Sequence, residues 1–190
     1  MEETVQREEP TMITEEDHLI EPENALPETT IEALPPGMQA ACKRAGWTSL
    51  LPVQARTIPY ILNRRNLMVQ SQTGSGKTGA FILPILERID PANKVCQALV
   101  LVPTRELALQ VSREAAILGD DTGIRTAVVY GGVKYGPQLE AFRAGAQLVV
   151  GTPGRILDHL IKGALSLDHL DMIVFDEADR MLSMGFYPDM

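Results

Sequence analysis

The run Ser71-Gln72-Thr73-Gly74-Ser75-Gly76-Lys77-Thr78 gathers two glycines, a lysine and several hydroxyls into one short stretch. Glycines let a backbone wrap tightly, so that successive N–H groups point inward at phosphate oxygens. A helix that starts at the end of such a loop adds the positive end of its dipole. Lys77 then offers a charge to β- and γ-phosphates, and the Thr78 hydroxyl offers a ligand to magnesium. Ser71 stands where the usual phosphate-loop pattern begins with glycine. Much later comes Asp176-Glu177-Ala178-Asp179. Asp176 suits a magnesium ion held through water, which neutralises charge on a transferring phosphoryl group. Glu177 suits the base that orients and deprotonates an attacking water. Plainer readings stand beside these: a Gly-Ser turn, and acids favouring a helix start. The two clusters need each other, and that favours the chemical reading.

A scaffold must bring them together. Leu67-Met68-Val69-Gln70 reads as a strand leading into the loop, and Phe81, Ile82, Ile85 and Leu86 as the apolar face of the helix after it. Ala98–Val102 is a continuous apolar run, as expected of a strand buried on both sides. The next helix carries Leu107, Val111, Ala115 and Leu118 on one side and stops at Gly119. Thr126–Tyr130, Leu148–Val150 and Met172–Phe175 read as further strands. Between the last two, a helix ending at Gly163 is expected to turn Ile156, Leu157, Leu160 and Ile161 inward. Strand then helix, repeated, means an α/β fold: a parallel sheet with helices on both faces. Ligands gather beyond the carboxyl ends of such strands, so the acidic cluster is expected to face the phosphate loop. Met181, Leu182, Met184 and Phe186 follow at core spacing.

Composition bounds the remainder. The 190 residues are 45% hydrophobic and 22% charged, ordinary for one soluble domain. No apolar run reaches the roughly 18 residues of a membrane span, and the first residues lack a secretory pattern. A cytoplasmic, monomeric chain with no membrane partner is expected. Cys42 and Cys96 suit reduced packing residues, and the scattered His18, His159 and His169 support no zinc site. The net charge of −8 is unevenly spread. Residues 1–32 hold 11 of the 25 acidic residues and only Arg7 among the basic ones, which leaves the rest slightly basic. We therefore divide the chain into an acidic, mobile tail at 1–33 and a folded domain at 34–190. Nucleic acid cannot be held by bulk charge here, only by shaped local sites.

The phosphate loop, Pro103-Thr104-Arg105-Glu106-Leu107-Ala108, Gly131-Gly132, Thr152-Pro153-Gly154-Arg155 and Asp176-Glu177-Ala178-Asp179 stand in the order found in DEAD-box RNA helicases, which residues 34–190 resemble. The resemblance implies a RecA-like phosphate-loop NTPase domain, the first of two in that family. Its cofactors would be ATP and Mg²⁺, with Lys77, Asp176 and Glu177 catalytic and Thr78 and Asp176 on the metal. Ser71, Gln72, Thr73, Gly74, Ser75, Gly76, Lys77 and Thr78 would cradle the phosphates. The segment Gly46–Gln54 resembles the family's adenine-reading segment, with Gln54 the residue that prefers ATP to GTP. Leu50-Leu51 departs from the usual Pro-Thr there, and Thr29 falls near the place of a stacking aromatic. Trp47 is expected to pack beneath.

Pro103-Thr104-Arg105 and Thr152-Pro153-Gly154-Arg155 each combine a capping threonine with a helix start whose free N–H groups can hold a backbone phosphate. Gly131-Gly132 permits a third close approach. Such contacts grip sugar and phosphate, so the implied partner is RNA bound without regard to sequence. A Ser-Ala-Thr segment and a second RecA-like domain with γ-phosphate arginines are family features not found in these 190 residues. This stretch alone is thus expected to bind nucleotide without appreciable hydrolysis or unwinding. Two other readings stay open: a different phosphate-loop ATPase acting on nucleic acid, and a non-catalytic RNA-binding regulatory module.

Overall fold

A computed structural model describes residues 24–72, 74–186 and Met190. Four strands, β1 (Ala98–Leu101), β2 (Thr126–Val129), β3 (Leu148–Gly151) and β4 (Met172–Phe175), form one sheet in the order β2-β3-β1-β4. Each pairing is parallel, as the alternation of strand and helix requires. The register sets Leu101 beside both Gly151 and Phe175, and Val129 beside Gly151. The four carboxyl ends therefore line up along one edge.

Seven α-helices accompany the sheet among the described residues: α1 (Pro36–Arg44), α2 (Pro52–Leu62), α3 (Lys77–Arg88), α4 (Arg105–Leu118), α5 (Gly136–Arg143), α6 (Pro153–Ile161) and α7 (Ala178–Ser183). The pleat of β1 divides the core in two. Ala98, Val100 and Val102 pack with α1 to α4, whereas Leu99 and Leu101 pack with Ile156 of α6 and Met181 of α7. Leu148 and Val150 join the first set, Val149 the second. A strand buried on both faces must be apolar throughout, which is why β1 and β3 carry no alternation. Cys42 and Cys96 are buried and unpaired, and burial pushes the Cys96 thiol up to about 12.

Four expectations need correction. Leu67–Gln70 is not a strand: no described strand lies beside it to complete a ladder, and Met68 is 98% exposed. β-type residues alone do not make a strand without a partner. On α6, Ile161 points to solvent and His159 is wholly buried in its place. Helical spacing explains this, since 159 and 160 share the face of Ile156 while 161 lies beyond it. On α7 only Met181 is fully buried; Leu182 and Met184 are about half exposed. Finally, folded structure begins before residue 34. The Thr29 N–H donates to the Ala55 carbonyl at 3.0 Å and the Leu26 N–H to the Tyr60 hydroxyl at 2.9 Å, while Glu28 pairs with Arg56. These backbone and charge contacts strap 24–30 along α2 without an apolar period, so composition masks them. The expected tail over 1–23 lies outside the described residues. Among the described residues, no helix is long and apolar enough to cross a membrane.

Candidate functional site

The loop before α3 turns on Gly74 and Gly76, with φ of +83° and +90°. Both angles suit glycine, and at Gly76 a side chain would also meet Gln54 Nε2 at 2.9 Å. Thr73, an expected phosphate ligand, lies outside the described residues. Lys77, the first residue of α3, turns its ammonium back onto the carbonyls of Ser71 and Gln72, the latter at 2.7 Å. The Ser71 hydroxyl donates to that of Ser75 at 2.7 Å. The lysine charge is thus held at the loop's centre by acceptors that an anion can replace.

Asp176 follows β4 directly, and its N–H extends the ladder by donating to the Leu101 carbonyl at 2.9 Å. The residue is 9% exposed. Burial raises its pKa most, the Glu177 carboxylate raises it further, and the Glu177 N–H and the Lys77 charge pull it back. The Lys77 charge is the smallest of these four effects. Glu177 has φ +52° and ψ +47°, a left-handed conformation that costs a non-glycine residue of order 1 kcal/mol or more. Its carboxylate pairs with Arg180 at 3.1 Å. No three His, Cys, Asp or Glu side chains among the described residues converge as a metal cage. An ion held here would draw most of its ligands from phosphate and water, which is how magnesium is commonly bound. A hydroxyl and a carboxylate, as at Thr78 and Asp176, are donors that such an ion accepts. Glu114 on α4, absent from the sequence expectations, also feels Asp176, and burial with that charge raises its pKa.

Along the same edge, Gly131-Gly132 follows β2, Thr152–Arg155 follows β3 and Pro103–Arg105 follows β1. Neighbouring strands lie about 5 Å apart, so the three segments are adjacent. Gly131 and Gly132 are exposed, with open space where a Cβ would be. Thr104 caps α4 as expected, its hydroxyl accepting from the Leu107 N–H at 3.3 Å. Thr152 holds the corresponding place on α6 without a side-chain cap, and Pro153 is the first helical residue. Arg105 is exposed and lies over the Tyr130 ring at 4.8 Å. Arg155 differs: its side chain is 11% exposed and donates inward to the Val133 carbonyl at 3.1 Å.

The DEAD/DEAH box helicase family model matches residues 51–190. The chain belongs to that family. It is 50% identical over 145 residues to the ATP-dependent RNA helicase DeaD of Escherichia coli, covering 76% of this chain and 23% of that protein. With the ATP-dependent RNA helicase CshA of Limosilactobacillus reuteri it shares 46% over 149 residues, 78% of this chain and 30% of the relative. The chain thus spans about a quarter to a third of these relatives. Among solved structures, a DEAD box protein from the hyperthermophile Methanococcus jannaschii superposes with a TM-score of 0.81 at 39% identity, covering 85% of this chain and 45% of that one.

Within this family member, Gln54 proves to be an internal tie. It is 3% exposed; its Oε1 accepts from the Leu51 N–H at 2.9 Å and its Nε2 donates to the Gly76 carbonyl at 3.2 Å. It thus joins the start of α2 to the phosphate loop. Trp47 packs against Gly79 on α3, where a side chain would collide with its ring. Leu51 stands at the N-cap of α2 with no oxygen to accept a backbone N–H. Sequence reasoning also missed Gln138, Tyr135 and His159, which surround Arg155. A polar residue on the inward face of α5 was the available signal for Gln138.

Proposed function

We propose that the chain is the ATP- and RNA-binding domain of an ATP-dependent RNA helicase, as its relatives are named. The observation that carries this reading is the glycine loop at Gly74 and Gly76 opening α3, in one domain with a buried Asp176 at the carboxyl end of β4. There the loop N–H groups and Lys77 bind the phosphates, while Glu177 takes the proton of an attacking water. Thr78 and Asp176 would hold Mg²⁺, which when bound would neutralise charge on the phosphates. Gln54 supports the loop and selects adenine. RNA runs over Gly131-Gly132, the start of α6 and Arg105, touching sugar and phosphate only. Completion of the ATPase centre falls to a second RecA-like domain, since an added arginine is worth about 10³–10⁵ in rate. The protein works in the cytoplasm on this reading.

Glu177→Gln in a two-domain parent is the direct test. We expect RNA-stimulated ATP hydrolysis to fall at least about a hundredfold, the usual share of a general base, with nucleotide still bound. An unchanged rate excludes Glu177 as the base. Brisk RNA-stimulated turnover by the 190 residues alone refutes the need for a second domain. Competition between RNA and DNA of one sequence decides between RNA and a more general nucleic-acid substrate.

A further inference from the structure

Between β2 and α5 the chain turns through Gly131-Gly132, and a carbonyl on each side of that pair is tied down. The Tyr130 carbonyl accepts from Gln138 Nε2 at 3.1 Å, and the Val133 carbonyl accepts from Arg155 Nη1 at 3.1 Å. The two ties meet. Gln138 Oε1 accepts from Arg155 Nη1 at 3.4 Å and from His159 Nε2 at 2.7 Å. Since an amide oxygen only accepts, His159 must carry its proton on Nε2, and the amide orientation follows. His159 is fully buried, with no hydrogen-bond partner at Nδ1 among the described residues, and Gln138 is 4% exposed. The rings of Phe142 and Tyr135 stand edge-on to His159 at 5.0 and 5.3 Å, and Arg155 lies over Tyr135 at 4.3 Å.

Only a side chain with one donor and a doubly accepting oxygen at this reach serves all three partners. Glutamate lacks the donor, methionine lacks both, and asparagine is shorter by a methylene. The clamp touches no exposed surface, yet it joins two segments assigned above to RNA: the glycine turn and the first turn of α6. Two mobile glycines are expensive to order, about 1–2 kcal/mol per residue for the backbone alone. A clamp made before RNA arrives removes that cost from binding.

We propose that Gln138 is a positioning residue that fixes the Gly131-Gly132 turn against the start of α6, and thereby sets RNA affinity without touching RNA. This rests on the RNA reading above. Arg155 belongs to the same device, holding the far side of the turn rather than meeting phosphate itself.

The test is an NMR titration of the ¹⁵N-labelled chain with a uridine decamer, and separately with ADP. In the wild type, the amides of Gly131, Gly132 and Gly154 are expected to move with RNA, and Arg105→Ala to weaken that binding. Gln138→Met is expected to shift the amides of Gly131 and Gly132 in the free protein. It is also expected to weaken the decamer about tenfold, the equivalent of reordering roughly one backbone residue, while ADP binding at Gly74 and Gly76 stays as in the wild type. A merely structural lesion would move both titrations together. If Gln138→Met fails to give a dispersed spectrum, Gln138→Asn is read the same way, since it keeps the amide and is too short by a methylene to serve every partner. Decamer affinity within twofold of wild type, while Arg105→Ala is impaired, overturns the positioning role and leaves the RNA reading intact. No RNA shifts in the wild type sink the RNA reading instead, and unmoved Gly131 and Gly132 amides in free Gln138→Met then overturn the clamp on its own terms.

Discussion

Replacing Gln54 by methionine keeps the volume of a 3% exposed side chain and removes both of its hydrogen bonds. The Leu51 N–H loses its acceptor at the start of α2. The Gly76 carbonyl keeps one partner, the Ala80 N–H at 3.3 Å, so its loss is smaller. Two such bonds are worth about 1–2 kcal/mol together when nothing charged is stranded. For a domain of this size that lowers the melting temperature by about 3–6 °C. A second consequence is functional. Gly76 sits at φ +90° as the residue before α3, and Gln54 is the side chain that holds its carbonyl. Freeing it lets the loop explore conformations that must be given up again around phosphate. We expect ATP affinity to fall about tenfold, equivalent to 1.4 kcal/mol. Titration with fluorescent ATP and GTP analogues separates the two roles of Gln54. A loss shared by both nucleotides measures loop support, and an extra loss for ATP measures adenine reading. A variant that melts within a degree of wild type and binds both nucleotides equally well would refute the tie as a working element.

Other outcomes follow from single groups. Leu51→Thr supplies the oxygen that the start of α2 lacks; compared with the isosteric Leu51→Val, it should gain about 1 kcal/mol, read as a 2–4 °C higher melting temperature. For Asp176, the folded pKa lies above its ordinary 3.8, with burial the largest cause. Without metal, stability is therefore expected to decline as pH rises from the ordinary carboxylate range through that raised value. With Asp176 as the proposed magnesium ligand, Mg·ATP affinity measured calorimetrically should weaken on acidification, and less so in Asp176→Asn. For His159 the folded pKa lies below 6.5; burial and the Arg155 and Lys162 charges depress it, against Asp158. The unfolded chain then takes up the proton first, so stability is flat above about pH 6.5 and falls below it. Urea midpoints from pH 7.5 to 5.5 should drop more steeply for wild type than for His159→Gln.

How much of this was legible in the sequence depends on whether a residue's role is local. Gly74, Gly76, Lys77 and Thr104 act through their own backbone or the next turn, and residue type with spacing was enough to place them. The parallel sheet was legible for a related reason, since β1 and β3 are apolar on both faces and only helices on both sides permit that. Leu67–Gln70 shows the opposite case: it has strand composition, but a ladder needs a neighbour that composition cannot supply. Gln54 and Arg155 fall between the two. Their motifs singled them out, yet a motif does not say which way a side chain turns. Gln54 spends its amide on Gly76 and Leu51, and Arg155 spends its guanidinium on Val133 and Gln138, because each lies within hydrogen-bond reach of partly buried polar groups. The same dependence on partners made Gln138 and His159 invisible beforehand. A buried polar residue declares its purpose only through partners that lie far away in the chain, and those partners meet only once the sheet has put β2 beside β3.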